Sequence, residues 1–431
     1  MSKVRLILVT LICASPAILL RDGLIVQGLV AGIVAIALVI TGRSLRPSET
    51  KFLISTGWPL AAVAAFPALW VLVQVLPLRV VAHPIWKSAE AALGHPVAGG
   101  ISVDPGASVI ALGQYISGIG VAFLSAAVAV DRQRAEWILF ALTAAVTAIA
   151  LIMLTDDLFS PGVRLTAFAR AQAVDCVGMG TIIASAACIR TIERYETRHL
   201  SPQRSVTVLL WTFVACSGAL AICGAAMILG ENRELLIAMG YGILSLAYIM
   251  IIRLFALGLL GIGGMVVPAL AAAVLLLASH PTERGTSLVL AFAGASSPSL
   301  IALSQRVLDD APPVGTGAGT FTALVPIYRQ MDDPPANSVA ATAAAALAIE
   351  LGRPMLWLIT AATAGSIFIL LRSSLQRGRD SFYPAMAGSC LIALLLFSFN
   401  NPGLLGTSTS LIAAAVIGLG IAQSESRTVK L

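Results

Sequence analysis

The residue type best suited to chemistry in this chain is arginine, because it recurs beside apolar runs where a charge is costly to keep. Arg233 stands in Gly230-Glu231-Asn232-Arg233-Glu234, a short polar turn between two strongly apolar stretches. Arg164 and Arg170 flank the entry to another such stretch, and Asp175 lies just inside it. Arg306 and Arg329 bracket Gly315-Thr316-Gly317-Ala318-Gly319. A guanidinium binds phosphate oxygens through paired N–H groups and stays charged in a low dielectric. Several of them converging at one membrane surface would hold a lipid-linked pyrophosphate and stabilise it as a leaving group. The competing reading has the same side chains reaching lipid headgroups or pairing with Glu231, Glu234 or Asp309. Asp175 divides the same way: a buried acid in a span defaults to function, but Arg170 is near enough in sequence to pair with it. Spacing alone leaves both readings open.

Other chemistries lack their residues. Gly315-Thr316-Gly317-Ala318-Gly319 has no following GK[ST] and follows no strand, so it is not a phosphate loop. HExxH and GxSxG are missing. The acid pairs Asp156-Asp157, Asp309-Asp310 and Asp332-Asp333 have no further acid or His at ligand spacing, and they read as solvated turns rather than metal sites. His83, His95 and His280 are each followed by Pro and read as structural; His199 falls in a basic loop. The six cysteines all sit inside apolar runs without a CxxC spacing, as small core residues do. No cofactor and no metal is expected.

These residues must be positioned by membrane helices. The chain is 58% hydrophobic and 11% charged, with a mean hydropathy of +0.93, against roughly 25% charged in a soluble domain. Apolar runs approach the ~20 residues that cross a hydrocarbon core as a helix. An all-α polytopic protein of about 12 transmembrane helices is expected, a single membrane domain over 1–431. The spans read as 4–20, 24–42, 54–76, 108–130, 137–154, 171–190, 206–229, 234–252, 256–278, 354–371, 383–399 and 405–422. Lys3 and Arg5 precede the first run like a signal peptide. Ala14-Ser15-Pro16 is a poor cleavage site, however, so an uncleaved first helix is expected. Basic residues concentrate in alternate loops at Arg43, Arg46, Lys51, Arg132, Arg134, Arg190, Arg194, Arg198, Arg204, Arg253, Arg372, Arg377 and Arg379. The positive-inside rule makes those loops and both termini cytoplasmic. The net charge of +6 thus serves orientation, and no nucleic-acid partner is expected. Two long loops then fall outside, 77–107 and 279–353. In the second, Leu288–Leu308 and Ala340–Leu351 read as surface helices around an irregular centre, Asp309–Asn337.

The run from Arg306 to Pro354 resembles the O-antigen ligase and polysaccharide polymerase superfamily of bacterial membrane glycosyltransferases. Its members carry an outer-loop Arg, a turn, G-x-G-x-G-x-F, and a helix ending in E-L-G before the next span. Here these are Arg306, Asp309-Asp310-Ala311-Pro312, Gly315 through Phe321, and Glu350-Leu351-Gly352. Glu231-Asn232-Arg233-Glu234 sits where such proteins place a short outer-turn motif. Val73-Gln74-Val75-Leu76-Pro77 and His83-Pro84-Ile85-Trp86 look like the third-span exit of the exopolysaccharide members.

The resemblance implies a metal-independent inverting glycosyltransferase of the bacterial inner membrane, acting on a glycan linked to undecaprenyl pyrophosphate. A sugar hydroxyl attacks the anomeric carbon and pyrophosphate leaves into the arginines. Arg233 and Arg306 would bind it, with Arg329 and Arg170 as additions, and Gly315, Gly317, Gly319 and Phe321 as loop scaffold. Membrane lipids and other polysaccharide-assembly proteins are the further partners implied. One departure stands out. Where family members carry a His-Asn pair, this chain has Ala341-Thr342, and the nearest amide is Asn337 behind Ala336. Asp332, Asp333 or His280 would then substitute as base, or base assistance is weak, or activity is lost. A flippase of lipid-linked glycans and a non-catalytic assembly subunit stay open as alternatives.

Overall fold

The computed structural model describes residues 2–45, 47–158, 165–196, 206–230, 233–254, 287–294, 296–330, 339–376 and 380–424. Regular structure among them is entirely helical. Among the described residues ten helices are long and apolar enough to cross a membrane, and Thr407–Ala422 is a shorter apolar one. The chain is a multi-span helical membrane protein.

The first span is made of two pieces, α1 (Ser2–Cys13) and α2 (Ser15–Leu20), broken ahead of Pro16. Then come α3 (Leu24–Ser44), α4 (Pro47–Val75), the short α5 (Ile85–Leu93), α6 (Pro105–Ala129), α7 (Arg132–Leu158), α8 (Ala167–Glu196), α9 (Val206–Leu229) and α10 (Arg233–Leu254). Past the loop segment lie the short α11 (Pro298–Asp310), α12 (Phe321–Tyr328) and α13 (Ala343–Glu350), followed by α14 (Arg353–Gln376), α15 (Phe382–Asn400) and α16 (Thr407–Ala422). The expected span 256–278 lies outside the described residues.

α8 and α15 are the most enclosed helices, which is why they can carry polar side chains; α3 mostly faces outward. α6 and α16 pack most extensively. They approach closely because Gly418 offers no side chain: a Cβ there would lie 2.1 Å from Ala122 O, and nearby Ser125 Oγ donates to Ala415 O at 2.7 Å. Small residues driving close approach are the usual means of association where lipid removes the hydrophobic gain.

The bundle has a basic end and a loop end. At the basic end Arg190 pairs with Glu136 at 2.6 Å and with Asp380 at 3.7 Å, Arg132 pairs with Asp380, and Arg194 with Glu136. The loop end carries the segments 76–104, 287–294, 296–330, 339–352 and 400–407.

Two loop expectations need correction. The helix expected over Leu288–Leu308 begins at Pro298, because Ser297 accepts from Leu300 N and Pro298 takes the first helical position, where a missing N–H costs nothing. Residues 287–294 form turns instead. The centre expected to be irregular contains α12.

Candidate active site on the loop end

The glycine-rich segment and the Glu350-Leu351-Gly352 segment interlock. Thr316 N donates to Ile349 O and Gly317 N to Glu350 O, both at 3.0 Å. The close approach depends on glycine at two crossing points. Gly315 (φ +82) and Gly352 (φ +96) occupy the left-handed region, and a Cβ would lie 2.2 Å from Glu350 O in the first case and 2.0 Å from Pro313 O in the second. Gly317 sits against Ser102 and Gly319 against Ala107. Past the glycines, the Glu350 carboxylate accepts from Gly319 N at 2.8 Å and from Phe321 N at 3.2 Å. It thereby satisfies amides at the start of α12, which would otherwise be unpaired. Burial of that carboxylate raises its pKa to about 7, against the pull of the two amide bonds.

The end of α4, the 76–104 segment and the start of α6 clamp this unit from the other side. Gln74 Nε2 donates to Val314 O at 3.0 Å and to Glu350 O at 2.9 Å, and Trp70 Nε1 donates to Leu351 O at 3.0 Å. Val103 N donates to Thr316 O at 2.8 Å and Ser108 Oγ to Ala318 O at 2.9 Å. Gln74 was legible only as part of a motif. A lone amide near the end of an apolar span is the signal that marks it, since it must find partners.

The arginines distribute unevenly around this scaffold. Arg233 opens α10 and is exposed. The carboxylate of the next residue, Glu234, lies against Gly294, within 2.8 Å of where a Cβ would stand. Two residues on from Gly294, Ser296 Oγ donates to Ala341 O at 2.7 Å, and Ala341 N donates to Ser304 Oγ of α11 at 3.0 Å. The turn bearing Arg233 and the helix bearing half-buried Arg306 are therefore tied into one cap. Arg329 is exposed just beyond α12. Arg353, which the motifs did not single out, donates to Leu308 O at 3.0 Å beside Asp309.

Arg170 is engaged elsewhere, pairing with Asp157 at 2.6 Å and Asp156 at 3.6 Å. The acids expected to be solvated thus form an ion pair, and Arg170 does not serve Asp175. Asp175 instead accepts from Asn401 Nδ2 at 2.9 Å, fully buried, and Asn401 O accepts from Ala343 N at the start of α13. Nearby, Asp22 accepts from Gln172 Nε2 at 3.0 Å and from Thr407 Oγ1 at 2.7 Å. Arg164, His280, Asp332, Asp333, Ala336 and Asn337 lie outside the described residues.

The position where the family carries His is packed core. Ala341 has no exposed surface and sits among buried alanines of α13. The described histidine nearest this unit is His83, whose Nδ1 accepts from Ile85 N at 3.3 Å. Burial lowers its pKa, and the charge of Asp310 works the other way. Asp310 also accepts from the Tyr328 hydroxyl, which burial first and this acid second push up to about 12. No group of three His, Cys, Asp or Glu is placed to hold a metal ion among the described residues. No family model matches the chain, and no curated protein matches it.

Proposed function

We propose that the chain is a bacterial inner-membrane glycosyltransferase that polymerises or ligates glycans carried on undecaprenyl pyrophosphate. In this reading twelve spans put both termini in the cytoplasm, and loops 77–107 and 279–353 face outward. The observation that carries it is the interlock of the Gly315–Phe321 segment with Glu350-Leu351-Gly352 on the end that presents Arg233, Arg306 and Arg329. The two segments behind the resemblance are one folded unit, not scattered short matches.

The acceptor hydroxyl forms a new bond to the anomeric carbon as the bond to the pyrophosphate oxygen breaks, with inversion. The electron pair leaves with the pyrophosphate, where guanidinium groups stabilise the developing charge. The hydroxyl proton passes to a carboxylate, imidazole or water. Asp332, Asp333 and His280 stay candidates, and His83, beside Asp310, joins them. Because phosphate departs readily, a weak base suffices. Transport of the lipid-linked glycan is the second reading; Asp175, buried in a span with one carboxylate oxygen lacking a partner among the described residues, favours it.

The test is reconstitution of the purified protein with an undecaprenyl-pyrophosphate oligosaccharide. Growth of a glycan ladder supports polymerisation, and transfer to a lipid acceptor supports ligation. Leaflet exchange without a new glycosidic bond replaces the proposal with transport.

A further inference from the structure

At the basic end, α7, α8 and α9 enclose a cavity of about 40 Å³ lined by Phe140, Arg190, Thr191, Arg194, Val208 and Thr212. That space admits a few water-sized groups, since one probe sphere needs roughly 10–15 Å³. It fits the non-bridging oxygens of one phosphate and not a whole headgroup. Arg190 is 8% exposed. Its two terminal nitrogens already face acids, with Glu136 at 2.6 Å, Asp380 at 3.7 Å and Glu193 at 4.0 Å. Its Nε, however, is buried with no acceptor at bonding distance among the described residues, although the Tyr383 hydroxyl lies beside the same guanidinium. A buried guanidinium N–H without an acceptor is costly, and an oxyanion entering this cavity would supply one.

The surroundings point to a lipid as the source of that oxyanion. On α9 the cavity is lined by Val208, which is 53% exposed, and the same helix presents Leu210 and Trp211 outward. An exposed Trp near the end of a span marks the headgroup level. Basic pockets between spans are built to hold anionic headgroups.

We infer that the cleft between α7, α8 and α9 binds the phosphodiester of an anionic glycerophospholipid, with Arg190 Nε as donor and Arg194 as the second positive charge. The site lies at the opposite end of the bundle from the proposed glycan transfer and does not depend on it.

The experiment follows the melting temperature of the full chain in neutral detergent with added phosphatidylglycerol, phosphatidylcholine or inorganic phosphate. The expected result is a rise with phosphatidylglycerol that exceeds the rise with phosphatidylcholine and is not reproduced by inorganic phosphate. Val208→Trp fills the mouth from an exposed position and leaves every ion pair intact; it should abolish the phosphatidylglycerol-specific rise. Arg372→Gln, an exposed basic residue at the same end, should leave that rise in place. Equal rises with both lipids, retention of the specific rise in Val208→Trp, or its loss in Arg372→Gln would overturn the site. An equal rise with inorganic phosphate overturns the lipid assignment in favour of free phosphate.

Discussion

Asn401 Nδ2 donates to Asp175 Oδ1 over 2.9 Å, joining two residues 226 positions apart inside the bundle. Through its backbone carbonyl, Asn401 also accepts the amide of Ala343, so one residue links a buried acid to the loop-end cap. Gly403 makes this possible, because a Cβ there would lie 2.6 Å from Asp175 Oδ2 and 2.3 Å from Ala171 O.

Asn401→Ala removes one of the few partners Asp175 has. Leaving a buried acceptor without its donor costs about 1–3 kcal/mol, and the substitution should destabilise by that order. Asp175→Asn combined with Asn401→Ala should cost less than the two singles added, since Asp175→Asn removes the acid that Asn401→Ala leaves unsatisfied. Thermal unfolding of the four proteins in one detergent measures this. Additive losses would mean that the pair is not coupled.

Glu350 predicts a pH dependence. Its folded-state pKa is raised from 4.5 to about 7, so the folded protein holds that proton more tightly than the unfolded chain does. The sign follows from linkage: the contribution is fully present below about pH 4.5 and is lost as pH rises towards 7. Glu350→Gln should flatten this part of the stability profile while lowering stability in acid, because Gly319 N and Phe321 N bond different carboxyl oxygens and the amide puts a donor NH2 in place of one of them. A series of melting temperatures across that window checks it; an unchanged slope in the variant would assign the pH dependence to another group.

The glycines separate strain from collision. Gly94 and Gly352 both have positive φ, +70 and +96, but only Gly352 has backbone in the way, with Pro313 O at 2.0 Å from a Cβ. Gly94→Ala should cost about 1–2 kcal/mol, the left-handed penalty alone. Gly352→Ala should exceed that and open the cap, seen as faster hydrogen exchange over 313–320 and 343–351. Equal exchange in both variants would show that the interlock tolerates a side chain.

How much of this was legible beforehand follows from the physics of each feature. Spans announce themselves because every residue of a crossing helix meets lipid or other helices, and hydropathy accumulates over twenty positions. α12 was hidden because Pro326 lies inside it and glycines precede it; its start is set by Glu350, some thirty residues later in sequence. The glycine motif was legible as backbone scaffold, but not its partner strand of contacts from Gln74, Ser102 and Ser108, which sequence separation conceals. Asp175 was marked as unusual by its charge. Of the two readings left open for it, the pairing with Arg170 does not form, because packing of the 401–407 connector on α8 supplies Asn401.

Arg170 is the sharpest remaining test of the arginine assignment, because two roles compete for one side chain. Its side chain is 41% exposed and pairs with Asp157, which is 15% exposed, at 2.6 Å. A pair open to solvent on the arginine side contributes about 1 kcal/mol, so Arg170→Ala should lower stability modestly, with Asp157→Ala showing a similar loss and the double variant no more. If the ion pair is its whole role, glycan transfer in Arg170→Ala stays near wild type, while Arg233→Ala and Arg306→Ala abolish it with insertion intact. Transfer lost in Arg170→Ala but kept in Asp157→Ala, at equal melting temperature, would return Arg170 to the phosphate-binding group. The aspartate pair would then be dispensable for holding it in reach of the donor.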